Sequence, residues 1–598
     1  MADQPTQQPE APESDALVRE LAEIAEQSQR AISTFLQNQN VAGGPAADMR
    51  HIADAFLEFT QQLMQDQTRL AQAQATLWQD YMRLWQHAAQ RMAGMETAPV
   101  AAPERGDKRF KDPAWEENLV FDFVKQSYLL TARWAQALVK ETKGLDDKTA
   151  KKVDFYTRQF VDAMAPGNFL LGNPEALRET VETRGENLLK GLHNLLDDLE
   201  RGHGRLDIKM TDTDAFELGR NVAVTPGKVV YQNDLIQLIQ YAPTTETVRK
   251  RPLLIVPPWI NKFYILDLQP ANSFIRWAVA QGLTVFVISW VNPDAKLAEK
   301  DFEDYMVDGP LAALDAIEAA TGVREVNAIG YCLGGTLLAS TLAYMAAVED
   351  KRITSATFFV SLVDFAEPGE LSVFIDDEQL AALEARMEER GFLEGHEMAT
   401  TFNMLRANDL IWSFAVNNYL MGKEPFPFDL LYWNSDSTRM PAAMHRFYLR
   451  NMYQDNKLRE PGGISLKGVP IDLRKIRVPV YILSTREDHI APWKACYAGT
   501  RLYSGSRRFV LSGSGHIAGV INPPAKKPKY GYWTNTDLPE AADDWLAGAK
   551  AHEGSWWPDW WKWVVRKVGT EVPARTPGDG KLAVIEDAPG SYVRNRGT

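Results

Sequence analysis

Only two cysteines, Cys332 and Cys496, occur in 598 residues. Two thiols make neither a disulfide framework nor a cysteine-rich zinc site, so the expected compartment is a reducing cytoplasm. Long apolar runs are missing as well. No stretch approaches the ~18 uninterrupted apolar residues of a spanning helix. The opening MADQPTQQPEAPESD lacks the basic start and apolar run of a secretory signal. Basic residues are outnumbered, 65 Lys and Arg against 79 Asp and Glu, for a formal charge of −14. Nucleic acid is therefore not an expected partner, because phosphate contacts need concentrated basic surface. A small anionic substrate needs only a few local cations and stays open. No Walker loop, dinucleotide fingerprint or Cys/His cluster at zinc spacing occurs, so neither cofactor nor metal is expected.

What is present is an ordinary globular composition, 45% hydrophobic and 24% charged. The length asks for two or more folding units. Residues 1–45, rich in Gln, Glu, Ala, Ser and Pro, read as a disordered tail. Residues 46–205 read as a helical domain. Within it Met49, Phe56, Leu63, Leu70, Leu77 and Leu84 recur every seventh position, which predicts a long amphipathic helix over 48–93. Ile52 and Phe59 begin a second stripe that fails at Asp66 and Asp80, against a continuous coiled coil. The stripe is expected to dock on its own domain or on a second copy, with a partner protein or a granule surface as the alternative. Further helices are predicted over 118–140 and 174–199.

From 206 onward the pattern changes. Short apolar strands are predicted at 235–241, 253–256, 283–289, 326–329, 353–360, 478–484 and 507–511, with helices at 272–280, 309–320 and 336–347 between several of them. Buried strands alternating with helices imply an α/β fold with a mostly parallel sheet covered on both faces. An aromatic-rich helical insertion over 367–470 interrupts the alternation and is expected to be a cap over the active site.

The chemistry is expected at Gly330-Tyr331-Cys332-Leu333-Gly334. A G-x-C-x-G turn between a strand and a helix is a nucleophile elbow, with glycines that let the two elements approach and a central side chain lifted above the sheet edge. The helix N-terminus favours a thiolate there, and the Leu333 amide is placed to serve an oxyanion hole. Chain order in this fold runs nucleophile, acid, histidine. Asp488 follows the strand at 478–484, and His516 lies in the Gly-rich loop after 507–511, so they are the expected acid and base. Glu487 and His489 are the nearest rivals. Cys496 reads as a small buried apolar residue.

Several strings together resemble the class I polyhydroxyalkanoate synthases. They are Asp107–Trp115 (DKRFKDPAW), Pro257–Pro270 (PPWINKFYILDLQP), Ser289–Asp294 (SWVNPD), Gly330–Gly335 (GYCLGG), Phe428–Asn434 (FDLLYWN), Asp488–Trp493 (DHIAPW), Gly531–Asn535 (GYWTN) and Ala588–Val593 (APGSYV). Each alone is weak, whereas all in this order are specific, and they cover most of the chain after residue 106. The resemblance implies an α/β-hydrolase fold and an acyltransferase that polymerises (R)-3-hydroxyacyl-CoA, with CoA as part of the substrate and a product. It implies Cys332 as nucleophile, His516 as base and Asp488 as acidic member, the last with an added role in activating the 3-hydroxyl. Ile265 is the implied second oxyanion donor, and Trp433 and Trp259 are the implied pocket residues. Arg406 in the insertion is an expected CoA contact. Trp259 and Leu333 depart from a smaller residue and a valine in relatives. A homodimer on storage granules in the cytoplasm is expected, with granule-coating proteins as further partners. A thioesterase or polyester depolymerase using the same residues is one alternative. A non-catalytic granule-coating protein, favoured by the string Trp556 to Trp563, is the other.

Overall fold

The computed structural model describes residues 46–596, and Arg30 alone before them. The expected disordered tail over 1–45 otherwise lies outside the described residues. The chain divides into two compact units. One joins the chain up to Asp212 with Arg406–Phe426, and the other comprises Thr213–Leu405 and Pro427–Thr598.

This division differs from the expected one in two respects. The boundary lies at Asp212, a few residues past 205. More consequentially, Arg406–Phe426 leaves the insertion expected as one cap over 367–470 and joins the helical unit. Hydrogen bonds explain why. From the helix Glu186–Arg201, Asn187 Nδ2 donates to Leu420 O at 2.7 Å and Asn194 Nδ2 to Asn418 O at 3.0 Å. The Tyr419 hydroxyl donates to the Asp198 carboxylate at 2.6 Å. These polar partners carry no periodic signature, so hydrophobic patterning does not predict them.

In the helical unit the predicted 48–93 helix is two helices, Ala46–Gln65 and Gln67–Met92. The break falls at Asp66, whose carboxylate accepts the Arg69 N–H as an N-cap. Asp66 is also where the second apolar stripe fails. Phe59 and Ala55 pack with Val139 and Val153, while Leu84 packs with Phe110, Trp115 and Leu129. The stripe thus docks at least partly on its own unit.

The second unit is built on an eleven-stranded sheet. In chain order its strands are β1 Gly227–Gln232, β2 Ile236–Tyr241, β3 Leu253–Val256, β4 Val285–Trp290, β5 Val326–Tyr331, β6 Ile353–Phe359, β7 Val480–Thr485, β8 Arg507–Ser512, β9 Tyr532–Thr534, β10 Lys550–His552 and β11 Glu586–Asp587. Across the sheet they run β10-β9-β8-β7-β6-β5-β3-β4-β2-β1-β11. The six strands from β8 to β4 are parallel, and antiparallel strands flank them on both sides. The β3, β4, β5 and β7 strands are buried along their whole length, as continuous apolar runs between helical layers require. This is the α/β-hydrolase fold. Trp556, Trp557 and Trp560 are fully buried against Phe274 and Phe359, so these three tryptophans are core. Among the described residues no helix is long and apolar enough to cross a membrane.

Candidate active site

Strand β5 ends at Tyr331 and the helix Leu333–Ala347 starts two residues later. Cys332 makes the turn at φ 52° and ψ −121°. Positive φ is costly for a residue with a Cβ, on the order of 1–3 kcal/mol, and persists only where the surroundings over-determine it. Here they do. The Cys332 N–H donates to Phe359 O at the end of β6 at 2.9 Å, and Cys332 O accepts the Gly335 and Thr336 amides at 2.9 and 3.2 Å. A Cβ on Gly334 would sit 2.1 Å from Val256 O and 2.6 Å from Pro257 O, both backbone. Glycine is what lets the helix start this close to β3. Gly334→Ala is accordingly expected to lower stability by about 1–3 kcal/mol and to abolish activity, measured by thermal melting beside a turnover assay.

Two more side chains arrive from the same edge. Strands β5, β7 and β8 are parallel, so the residues that follow them emerge at the carboxyl ends of the strands, where α/β sheets place ligands. Asp488 follows β7 and His516 follows β8, and His516 Nδ1 lies 2.7 Å from Asp488 Oδ2. The Asp488 carboxylate is buried and saturated. Its Oδ1 accepts the amides of Ile490 and Ala491, both at 2.9 Å, and its Oδ2 accepts the Thr485 hydroxyl at 3.2 Å besides His516. A carboxylate offers about four lone-pair sites, and all are taken. Glu487 is exposed, so of the two adjacent acids Asp488 is the one that turns inward.

His516 also lies close enough to Cys332 for the two groups to feel each other's charge. Burial alone pushes the imidazole pKa down, but the charges of Asp488 and Cys332 and the Asp488 hydrogen bond outweigh it and push it up to about 10. A raised histidine pKa adds stability that is complete below the unfolded value of about 6.5 and fades as pH rises toward 10. The melting-temperature advantage of the wild type over His516→Gln is therefore expected to shrink steadily between pH 7 and 10. A constant difference across that range would contradict the linkage.

Around the sulfur stand tyrosines that sequence reasoning missed. The Tyr331 hydroxyl donates to His516 O at 3.3 Å. Tyr448, on the helix Ala442–Tyr448 from the insertion, lies 3.3 Å from the Thr336 hydroxyl at the start of the elbow helix. Burial holds the Tyr448 and Tyr453 phenols above their ordinary range, and proximity to Cys332 adds to it. Their one sequence signal is the aromatic richness of the insertion, which does not single them out. Cys496 is buried, with its thiol pushed up by desolvation, as an inert core residue would be.

Comparison with known proteins bears directly on this arrangement. Residues 106–278 match the family described as the N-terminus of poly-beta-hydroxybutyrate polymerase (PhaC), and residues 253–523 match the alpha/beta hydrolase fold. A poly(3-hydroxyalkanoate) polymerase of Methylorubrum extorquens is 51% identical over 98% of this chain and 98% of its own. The polymerase subunit of Rhizobium meliloti is 51% identical over 97% of this chain and 95% of its own. This chain belongs to the poly(3-hydroxyalkanoate) polymerase family. The corresponding subunit of Cupriavidus necator is 45% identical over 88% of both chains. A solved hydrolase from Pseudomonas aeruginosa covers 49% of this chain at 15% identity and a TM-score of 0.30, too slight a likeness to argue from.

Membership makes the protein an acyltransferase and directs attention to the remaining expected residues of this polymerase. Leu333 is the first residue of its helix, where an amide has no intrahelical acceptor and is free for an oxyanion. Ile265 is placed differently. It is the third residue of the 3₁₀ helix Phe263–Asp267, capped at Lys262, so its amide is directed at the Lys262 carbonyl. The first amide N–H that this loop offers after β3 is that of Trp259, since Pro257 and Pro258 have none. The Trp259 ring is buried among Trp290, Tyr305 and Tyr448. Trp433 is buried and donates its indole N–H to Lys262 O at 2.7 Å. Arg406 belongs to the helical unit, is half-exposed, and pairs with Asp409 one turn on. Among the described residues no group of three or more His, Cys, Asp or Glu is placed to hold a metal.

Proposed function

We propose that this chain polymerises (R)-3-hydroxyacyl-CoA, in the first instance 3-hydroxybutyryl-CoA, by the class I reaction, with the growing polyester carried as a thioester on Cys332. The observation that carries the reading is a cysteine held at φ 52° on the elbow, electrostatically coupled to a histidine that Asp488 orients through a 2.7 Å hydrogen bond. The Cys332 sulfur attacks the thioester carbonyl while the proton it gives up is held on His516, whose raised pKa keeps it there. The tetrahedral oxyanion is met by the Leu333 amide, with the Trp259 amide better free to help than that of Ile265. One such donor is worth about 3 kcal/mol to the transition state. The bond to the CoA sulfur then breaks, CoA leaves with the proton from His516, and the acyl group remains on Cys332. For elongation, the 3-hydroxyl of an incoming hydroxyacyl-CoA attacks the Cys332 thioester and its proton passes to the same histidine. The bond to the Cys332 sulfur breaks, that sulfur takes the proton back, and the lengthened CoA thioester then reacylates Cys332 with loss of CoA. The saturated hydrogen bonding of Asp488 supports a purely orienting role for it. Exchange of one thioester for another is nearly balanced in free energy, which suits an acyl-enzyme that must wait for the next monomer. No cofactor is invoked.

A homodimer, cytoplasmic location and contact with the polyester granule and its coat proteins belong to the same proposal. Trp78, Met82 and Trp85, exposed on the helix Gln67–Met92, support an apolar surface contact. The test supplies purified protein with (R)-3-hydroxybutyryl-CoA and follows free CoA and insoluble polymer together. Stoichiometric CoA and polymer are expected. CoA with only soluble 3-hydroxybutyrate would make the enzyme a thioesterase, and no CoA at all would refute the substrate.

A further inference from the structure

The unit that carries Cys332 also contains an open cleft of about 420 Å³, whose lining includes Asp214, Phe216, Glu217, Tyr432, Arg594 and Arg596. Three features mark it out. The first is its charge. Arg594 and Arg596 reach it from the last described residues, and neither forms an ion pair among the described residues. Glu217 is matched by Arg220 at 3.0 Å. In the lining itself two guanidinium groups face Asp214 and Glu217, while Asp436 and Glu586 feel Arg596 and Arg594 without ion-pair contact.

The second feature is preorganisation. The segment that carries the two arginines is tied down. The buried Lys262 ammonium donates to Asn595 O at 2.5 Å, and the Tyr592 hydroxyl donates to Asn233 O at 2.6 Å. The Arg596 guanidinium lies 4.7 Å from the centre of the Tyr432 ring and donates to its hydroxyl. A guanidinium has five N–H donors, so most of its fork stays free for an anion. The Phe216 ring, 4.9 Å from that of Tyr432, is only partly buried and offers an aromatic face beside the arginines.

The third feature is connection to the chemistry. Tyr432 and Trp433 share the helix Asp429–Ser435. Trp433 bonds the Lys262 carbonyl, and Lys262 lies on the loop that leaves β3 and packs against Gly334 of the elbow. One loop therefore touches both the tail that carries the arginines and the turn that carries the cysteine.

Unpaired guanidinium forks beside an aromatic face suit a phosphorylated nucleoside, since arginine binds phosphate bidentately and an aromatic ring stacks a base. We propose that this cleft binds the adenosine 3′,5′-bisphosphate end of the acyl-CoA substrate, with Arg594 and Arg596 on the phosphates and Phe216 against the purine. The inference rests on the acyl-CoA reading given above.

The test compares two thioesters of the same (R)-3-hydroxybutyryl group, one on CoA and one on pantetheine, which lacks the nucleotide. In the full chain carrying both Arg594→Ala and Arg596→Ala, KM for the CoA thioester is expected to rise at least about tenfold, with kcat little changed. The pantetheine thioester, having no phosphate for the cleft, keeps its wild-type KM. Adenosine 3′,5′-bisphosphate should compete with the CoA thioester in the wild type and lose that effect in the variant. Equal rises in KM for both thioesters would mean that the tail only supports the fold, and no rise for either would mean that the cleft is not used. Either result overturns the proposal. If the double variant melts early, Arg594→Gln and Arg596→Gln singly, together with Phe216→Ala, carry the same comparison. Wild-type protein that turns over neither thioester refutes the polymerase reading itself, and that outcome is distinct from normal turnover with unmoved KM.

Discussion

Cys332→Ala is expected to make no polymer and to release CoA at least about 10⁴-fold more slowly than the wild type, the scale on which removing a covalent nucleophile acts. The folded protein should survive the change. Alanine removes one sulfur at a half-buried turn whose geometry is set by backbone bonds to Phe359, Gly335 and Thr336. The loss should therefore appear in turnover while the melting curve moves little. Cys332→Ser separates chemistry from shape further. It keeps the elbow and the histidine contact but replaces the sulfur with a hydroxyl, a weak nucleophile that depends wholly on its base. Residual acyl transfer by the serine variant with none by the alanine variant would assign the chemistry to the side chain at position 332. Wild-type rates in Cys332→Ala would remove this residue from the mechanism.

Asp488→Asn is expected to slow acylation and elongation alike, by roughly 10²–10⁴-fold, as when an asparagine holds a catalytic histidine in the wrong tautomer. With Ile490 and Ala491 on one carboxylate oxygen and Thr485 and His516 on the other, Asp488 has no lone pair left for a substrate hydroxyl. Its influence must then pass through His516 and reach both half-reactions. Rapid-quench measurement of acyl-enzyme formation, run beside steady-state polymer yield, separates the two steps. A normal acylation rate with lost elongation would show that Asp488 meets the growing chain directly, which is what the family resemblance implies.

The elbow was legible because its chemistry is local. A strand, two flanking glycines and a helix within about twenty residues can be read from composition and period alone. Asp488 and His516 were legible through chain order, since each follows a predicted strand of a parallel sheet and must emerge at the same edge. Other features depend on contacts between distant segments. The transfer of Arg406–Phe426 to the helical unit rests on asparagine side chains meeting backbone carbonyls more than 200 positions away. The break at Asp66 is a capping event inside an otherwise continuous helical pattern. Ile265 was a plausible oxyanion donor by resemblance, but a short 3₁₀ turn directs its amide to a backbone carbonyl. Tyr448 and the arginine cleft belong to the same class, because they join residues far apart in the chain.

The most direct test of the account is intact-protein mass spectrometry after mixing with butyryl-CoA, which can acylate the enzyme but has no 3-hydroxyl with which to elongate. The account predicts one butyryl group per chain, located by peptide mapping on Cys332, removed by neutral hydroxylamine and absent from Cys332→Ala. A butyryl group on another residue, or release of CoA with no acyl-enzyme at any time point, would contradict it.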